Sequence, residues 1–129
     1  MNVQRIDLLL PPDHDAPRSG RAAVGVVLSG LSEDVAERTR LLVSELLTNC
    51  LQHGALRERD GIGLLIDVDK RRIRVEVSDP GRRLHTAPNE RWLLEHAGFG
   101  VRALAQLADR WGIDRGRRTV AWFEIDLEE

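Results

Sequence analysis

The stretch Ser32–Gly54 constrains the fold most, because its pattern predicts one long amphipathic helix. Ser32 suits the N-cap, and two acidic residues follow in the first turn, where the helix dipole favours negative charge. At ~100° per residue the apolar side chains gather on one broad face, and Gly54 suits the position just past the helix end. That face comprises Val35, Leu42, Val43, Leu46, Leu47 and Cys50. A sheet or other helices must cover it.

Polar residues follow the edge of the same face. Glu45, Asn49 and His53 stand at successive four-residue steps. A carboxylate and a carboxamide one turn apart, beside an apolar wall that lowers the local dielectric, are suited to share one ligand. The alternative is that Glu45 and Asn49 are ordinary solvated residues at the border of an amphipathic helix.

The remaining segments predict a layered α/β sandwich. Strand alternation, helical spacing and turn residues define the elements. The predicted elements are a strand at 5–10, a helix between Asp15 and Gly30, a hairpin of strands at 64–68 and 73–77, a short helix at 89–95, a helix from Gly98 to Gly112 with Trp111 on its apolar face, and a final strand at 121–127.

Composition narrows the class of protein. With 129 residues and 14.5 kDa, the chain is expected to form one domain, residues 1–129. The net charge of −2 and pI near 6.1 arise from mixed signs, which argues against a direct nucleic-acid partner. The single Cys50 precludes an intramolecular disulfide, and no apolar run approaches the ~20 residues of a membrane span. A cytoplasmic protein that does not contact membranes is therefore expected.

Four short motifs, in this order, identify a resemblance to a known family. They are ELLTNCLQHG at 45–54, DPG at 79–81, GFG at 98–100 and ADRWG at 108–112. Together they resemble the Bergerat-fold (GHKL) ATPases, most closely the stand-alone anti-sigma factors that are also serine/threonine kinases and related bacterial ATP-binding regulators. The resemblance spans roughly residues 7–127. It implies a two-layer α/β (α+β) sandwich, with a mixed, mostly antiparallel sheet covered on one face by three principal helices.

The resemblance implies ATP and Mg²⁺ as cofactors and assigns roles to the long helix. Asn49 matches the asparagine that coordinates magnesium, and its alternative is a surface amide. Glu45 matches the catalytic glutamate that orients or deprotonates the nucleophile, here a partner's serine or threonine hydroxyl. His53 stands where the family often has His or Lys, near the phosphates. It could equally be a helix-terminal histidine that interacts with the dipole.

The adenine end is assigned in the same way. Asp79 matches the aspartate that accepts a hydrogen bond from the adenine amino group, and Gly81 matches the glycine that makes room for the ring. Thr119 resembles the threonine that supports this aspartate, although strand propensity explains a threonine there equally well. Arg82 and Arg83 stand where the family often has a second glycine.

Two glycines precede the next predicted helix. Free N–H groups at a helix start bind anions, so Gly98 and Gly100 suit the phosphates, whereas the competing interpretation is a flexible hinge. Residues 82–99 are expected to form an ATP lid. The chain has no Gly-Lys-Ser/Thr phosphate loop, so any ATP site here is of a different kind.

Three functions remain open. The preferred one is an ATP-binding anti-sigma regulatory factor that binds a sigma factor and phosphorylates an antagonist protein on serine or threonine. The alternative is a non-catalytic ATP/ADP-binding module that binds protein partners. The third is an interaction domain that binds no nucleotide. The resemblance also implies a homodimer.

Overall fold

The computed structural model describes residues 4–53, 56–80 and 99–127. Within these ranges the backbone forms five strands and three helices. In chain order they are β1 (Gln4–Leu10), α1 (Ala16–Val27), α2 (Glu33–His53), β2 (Ile62–Val68), β3 (Arg72–Asp79), α3 (Phe99–Leu107), β4 (Arg110–Arg115) and β5 (Thr119–Asp126).

The five strands form one sheet in the order β1-β2-β3-β5-β4. Every pairing between neighbours in this sheet is antiparallel. The predicted hairpin is confirmed, because β2 and β3 pair directly and Asp69 accepts hydrogen bonds from the backbone N–H groups of Arg71 and Arg72 in the turn. The predicted two-layer sandwich of three helices on a mostly antiparallel sheet is confirmed; the prediction called the sheet mixed, whereas its described pairings are all antiparallel.

Alternation along the strands separates an inner face from an outer one. In β2 and β3 every second residue is buried, from Ile62 to Val68 and from Ile73 to Asp79. Side chains at alternate strand positions point to the same face, so this period buries one side of the two strands β2 and β3. The apolar face of α2 joins the same core, including Leu42, Val43 and Leu47, which have no measurable exposure. The helices therefore cover the inner face.

The start of α2 follows the predicted capping chemistry. The hydroxyl of Ser32 accepts a hydrogen bond from the backbone N–H of Val35 at 3.2 Å. Asp34 pairs with Arg38 one turn later, with Nε and Oδ2 3.1 Å apart. Both contacts support the first turn of an isolated helix as well as a packed one.

Helix α1 packs unusually close to α2. A Cβ on Gly20 would lie 2.4 Å from Cδ1 of Leu47 and 2.9 Å from Cγ1 of Val43. A side chain at position 20 would therefore displace the buried side chains of Leu47 and Val43. Gly30 follows the helix with φ +93°, a left-handed conformation that favours glycine.

The prediction that a helix continues to Gly112 is wrong. Helix α3 ends at Leu107, and residues 110–115 form edge strand β4. Trp111 and Gly112 therefore belong to a strand, paired with Phe123 and Trp122 of β5. Gly112 does not stop a helix; a Cβ there would lie 2.8 Å from Nε1 of Trp122, so the glycine admits the indole ring. Pairing with β5 outweighs the local helical spacing.

Ion pairs organise the outer face around Glu124. This residue is only 8% exposed, although it points away from the helices. Its carboxylate accepts hydrogen bonds from Arg110 Nε at 2.8 Å, Arg74 Nη1 at 3.0 Å and Arg72 Nη1 at 3.4 Å. These donors, first of all Arg110, hold the pKa of Glu124 below its usual range.

The surrounding groups extend this network. Arg110 also pairs with Asp126, which lowers the pKa of that carboxyl, and Arg74 pairs with Glu76 at 3.0 Å. The guanidinium of Arg74 lies 4.4 Å from the ring centroid of Trp122, a cation–π distance. The outer face is thus held by charge pairs where the inner face is held by apolar packing.

Some predictions concern residues outside the described ranges. They are the helix end at Gly54, the short helix at 89–95 and residues 82–98 of the expected lid. Among the described helices, none has the length and apolar character needed to cross a lipid bilayer.

Candidate functional site

Helix α2 places Glu45 and Asn49 together at its border. Both side chains are partly buried, and they lie between fully buried neighbours such as Leu46 and Cys50. Four residues of helix advance ~6 Å along the axis, so the carboxylate and the amide are neighbours one turn apart. This position leaves each polar group accessible beside an apolar wall.

Cys50 connects this helix to strand β3. Its buried thiol hydrogen-bonds the carboxylate of Asp79, the last residue of β3, which is 5% exposed. Burial raises the pKa of the Cys50 thiol far above its usual range, and the charge of Asp79 and the hydrogen bond to it raise it further. The group therefore remains a protonated thiol that donates to Asp79. Because Cys50 follows Asn49 directly, the contact brings the helix motif beside Asp79 at the end of β3.

Thr119 lies beside Asp79 in the sheet. The first residue of β5 pairs with the last residue of β3, and Thr119 is 5% exposed. Both side chains occupy the buried face, since Val77, two residues earlier in β3, is also buried. The sequence-predicted pair is therefore brought together at one end of the sheet.

Arg118 fastens the same end from the outer side. Its Nη2 donates to the backbone carbonyl of Gly61 at 2.8 Å and to that of Ser78 at 3.0 Å. Its Nε lies 3.3 Å from the hydroxyl of Ser78. The guanidinium of Arg118 thus connects the backbone of Gly61, before β2, with that of Ser78, near the end of β3. Arg118 itself directly precedes β5.

Helix α3 has one predicted site residue in its first turn, and a hydrogen bond from α2 holds its C-terminal end. Gly100 lies in its first turn, in keeping with the predicted position at a helix N-terminus. At the other end, Arg38 of α2 donates to the carbonyl of Leu107 at 3.0 Å, which satisfies one of the carbonyls left free there. The side chain of His53 and all of Gly81 and Gly98 lie outside the described structure.

Two residues of this site were not singled out as functional from the sequence. Cys50 was interpreted as a core residue, and it is buried, but its thiol also contacts Asp79. Arg118 was not considered individually among the chain's many arginines. Its position directly before Thr119 was the available signal. In the described ranges, no three His, Cys, Asp or Glu side chains converge to hold a metal ion. Asn49 would bind a cation differently, through an amide oxygen.

The arrangement joins three kinds of group at one end of the molecule. A carboxylate and an amide flank the edge of α2, a buried carboxylate held by a thiol ends β3, and a hydroxyl begins β5. Buried carboxylates accept hydrogen bonds strongly, and amide oxygens are ligands that Mg²⁺ accepts. The chemistry of this donor set fits a polar ligand with hydrogen-bond donors and a cation.

Comparison with known proteins gives a fold and a family. The chain superposes with a TM-score of 0.77 on the crystal structure of the RsbU and RsbW domains of Rv1364c from Mycobacterium tuberculosis. The two are 19% identical, and the match covers 98% of this chain and 33% of that one, so the chain spans about a third of that structure's length. No curated protein gives a significant match. Residues 10–123 match the model of the histidine kinase-like ATPase domain. The chain therefore belongs to the family of histidine kinase-like ATPase domains.

Proposed function

We propose that this protein is an ATP-binding anti-sigma regulatory factor with serine/threonine kinase activity. The contact between Cys50 and Asp79 carries the proposal, because it joins the helix with Glu45 and Asn49 to the strand end expected to bind adenine. The family itself implies nucleotide binding. The likeness to the RsbU and RsbW domains of Rv1364c supports a role in the same class of regulators.

The described residues fit a magnesium nucleotide. Asp79 would accept the adenine amino group, with Thr119 beside it, and the amide oxygen of Asn49 would bind the metal. The start of α3 at Gly100 provides free N–H groups for phosphate oxygens. By the family resemblance, Gly81 and Gly98 would complete the proposed nucleotide site, and His53 would lie near the phosphates. When bound, magnesium would neutralise phosphate charge and orient the transferred group.

Glu45 is the proposed catalytic residue. Its carboxylate lies one turn before Asn49 and is only partly buried, so a partner's serine or threonine hydroxyl can reach it. A hydroxyl is a poor nucleophile at neutral pH, and a positioned carboxylate would orient it and accept its proton. The proposed substrate is an antagonist protein, and the proposed second partner is a sigma factor.

The remaining expectations belong to the same proposal. We place residues 1–129 in a single domain with an ATP lid at about 82–99. The protein would act in the cytoplasm as a homodimer, without direct contact to nucleic acid.

Calorimetric titration with ATP and ADP, with and without magnesium, tests the nucleotide site. We expect magnesium-dependent binding to wild type and loss of at least about tenfold in affinity in Asn49→Ala, since the amide oxygen is a proposed metal ligand. Gln52→Ala is the matched control, because Gln52 is an exposed amide on the same helix. Equal binding by both variants would contradict the assignment of Asn49.

Phosphotransfer separates the kinase from a non-catalytic nucleotide-binding module. We expect Glu45→Gln to bind ATP like wild type and to transfer phosphate to a candidate antagonist at least about a hundredfold more slowly. Binding without transfer by wild type would select the module. A flat titration by folded wild type would select the interaction domain that binds no nucleotide.

A further inference from the structure

Strand β3 extends beyond its pairing with β2. The last register pair between these strands is Gly63 with Ser78, and Asp79 follows one residue later. On its other side Asp79 still pairs with Thr119 of β5. At Asp79, the proposed adenine acceptor, β3 therefore pairs with β5 and no longer with β2.

Arg118 supplies a connection at this point. Its Nη2 donates to the carbonyl of Ser78 at 3.0 Å and to that of Gly61 at 2.8 Å. Gly61 directly precedes β2 and Ser78 directly precedes Asp79. The guanidinium thus bridges the two strands where their register pairing stops, and a charged donor makes stronger hydrogen bonds than a neutral one.

The neighbouring side chains are shaped for this contact. A Cβ on Gly63 would lie 2.4 Å from the hydroxyl oxygen of Ser78, so a larger residue there would displace this hydroxyl. The same oxygen lies 3.3 Å from Nε of Arg118. Three contacts from two nitrogens fix the plane of the guanidinium, as its rigid fork geometry allows.

We propose that Arg118 is a positioning residue that determines selectivity for the adenine base. It holds the backbone of Ser78 and thereby the direction in which Asp79 presents its carboxylate. The proposal rests on the proposed nucleotide site, because it takes Asp79 as the acceptor of the adenine amino group. Arg118 itself does not touch the base.

The chemistry of the base provides the test. ADP has an amino donor at C6 and an acceptor at N1 of the purine, whereas IDP has a carbonyl acceptor at C6 and an N–H donor at N1. A carboxylate held at the C6 group accepts a hydrogen bond from the amino group of ADP and is repelled by the carbonyl of IDP. A site built for one hydrogen-bonding pattern discriminates strongly. A carboxylate free to turn away discriminates less. Selectivity for ADP over IDP therefore reports the position of Asp79.

We expect Arg118→Met to reduce the ratio of ADP to IDP affinity by about tenfold, mainly through weaker ADP binding. Arg118→Lys, which retains one cationic donor, should recover part of that ratio. Arg117→Met is the matched control, since Arg117 is an exposed arginine of the same turn, and its ratio should equal that of wild type. Affinities are measured by competition against a fluorescent ADP analogue with magnesium present, alongside the melting temperature of each variant.

The outcomes separate this inference from the function on which it rests. Wild type that binds neither nucleotide overturns the proposed nucleotide site, and the role of Arg118 with it. Wild type that prefers ADP, together with an Arg118→Met variant of unchanged ratio, overturns only the role of Arg118. If Arg118→Met lowers the melting temperature and weakens ADP and IDP binding by the same factor, Arg118 has a structural role alone. That result also overturns the proposal.

Discussion

Two carboxylates are buried in this sheet, one on each face, and their surroundings differ in kind. Glu124, on the outer face, accepts hydrogen bonds from three arginines within 3.4 Å. Asp79, on the inner face, is contacted by the thiol of Cys50, a weak and neutral donor. Both are less than a tenth exposed. Burial alone therefore does not distinguish a structural carboxylate from one suited to a ligand.

The two carboxylates differ in the donors described at each: arginines at Glu124 and a thiol at Asp79. At Glu124 three arginines pair with the carboxylate, so we expect its negative charge to stabilise the fold. The thiol of Cys50 is a neutral donor that orients Asp79, and a carboxylate can accept hydrogen bonds from more than one donor, a ligand included. We expect substitutions at Glu124 to change stability and substitutions at Asp79 to change nucleotide binding.

The largest effect is expected on removal of Glu124. Glu124→Ala should lower the free energy of unfolding by about 2–3 kcal/mol, because it leaves three arginines without their shared partner. Urea denaturation measures this change. Glu76→Ala is the control, since Glu76 pairs with Arg74 alone among these arginines, and it should cost less. Nucleotide affinity should match wild type in both variants, and a loss confined to Glu124→Ala would link the outer face to the site.

At Asp79 the change should fall on binding. Asp79→Asn retains the shape and an oxygen that accepts from Cys50, so the free energy of unfolding should change by less than about 1 kcal/mol. Affinity for ADP should fall about thirtyfold, the loss of one hydrogen bond to a charged acceptor. Calorimetry measures the affinity, and Asp114→Asn, at an exposed position of β4, is the control. Undiminished ADP binding would remove Asp79 from the site.

The pH dependence of stability should identify Glu124. Its folded pKa lies below its ordinary value of 4.5, so its stabilisation is present above that value and is lost as pH falls through the folded pKa. Glu124→Gln should be about 1.5 kcal/mol less stable than wild type at pH 7, and the difference should shrink below pH ~4.5 as wild type takes up a proton. Denaturation curves across acidic pH measure it. A difference that stays constant down to the acid limit would mean that charge at Glu124 contributes nothing.

The smallest effect concerns the contact between Arg74 and Trp122. A double-mutant cycle of Arg74→Met and Trp122→Leu should give a coupling energy of about 0.5–1 kcal/mol, typical of a cation–π pair at a partly exposed site. The measurement is the free energy of unfolding of the two single variants and the double variant. Additive changes would show that the stacking is incidental.

Local signals in the sequence predicted the elements whose stability is also local. Ser32 caps α2 as expected, and the alternation around Asp69 defines the hairpin. The family resemblance also implied that Thr119 supports Asp79, and the structure pairs these two residues at the ends of β5 and β3.

Other features depend on contacts between distant segments and could not be read from one stretch. Strand β4 was missed because Trp111 also fits helical spacing and Gly112 resembles a helix stop. Its pairing with β5 decided the outcome. Similarly, the thiol of Cys50 contacts Asp79, which is 29 residues away in the chain. The guanidinium of Arg118 contacts Ser78, which is 40 residues away. Such partners become apparent only when the sheet is assembled.

The charges on the outer face also affect the register in which β3 and β5 pair during folding. Inner-face alternation has a period of two, so a two-residue slip of β3 along β5 would still bury every apolar side chain. In the native register Arg74 lies opposite Glu124, and in one slipped register Glu76 would face Glu124 instead. Two like charges opposite each other are unfavourable. The ion pairs therefore disfavour the slipped alignment in which Glu76 faces Glu124, and their loss should increase that misaligned pairing during refolding.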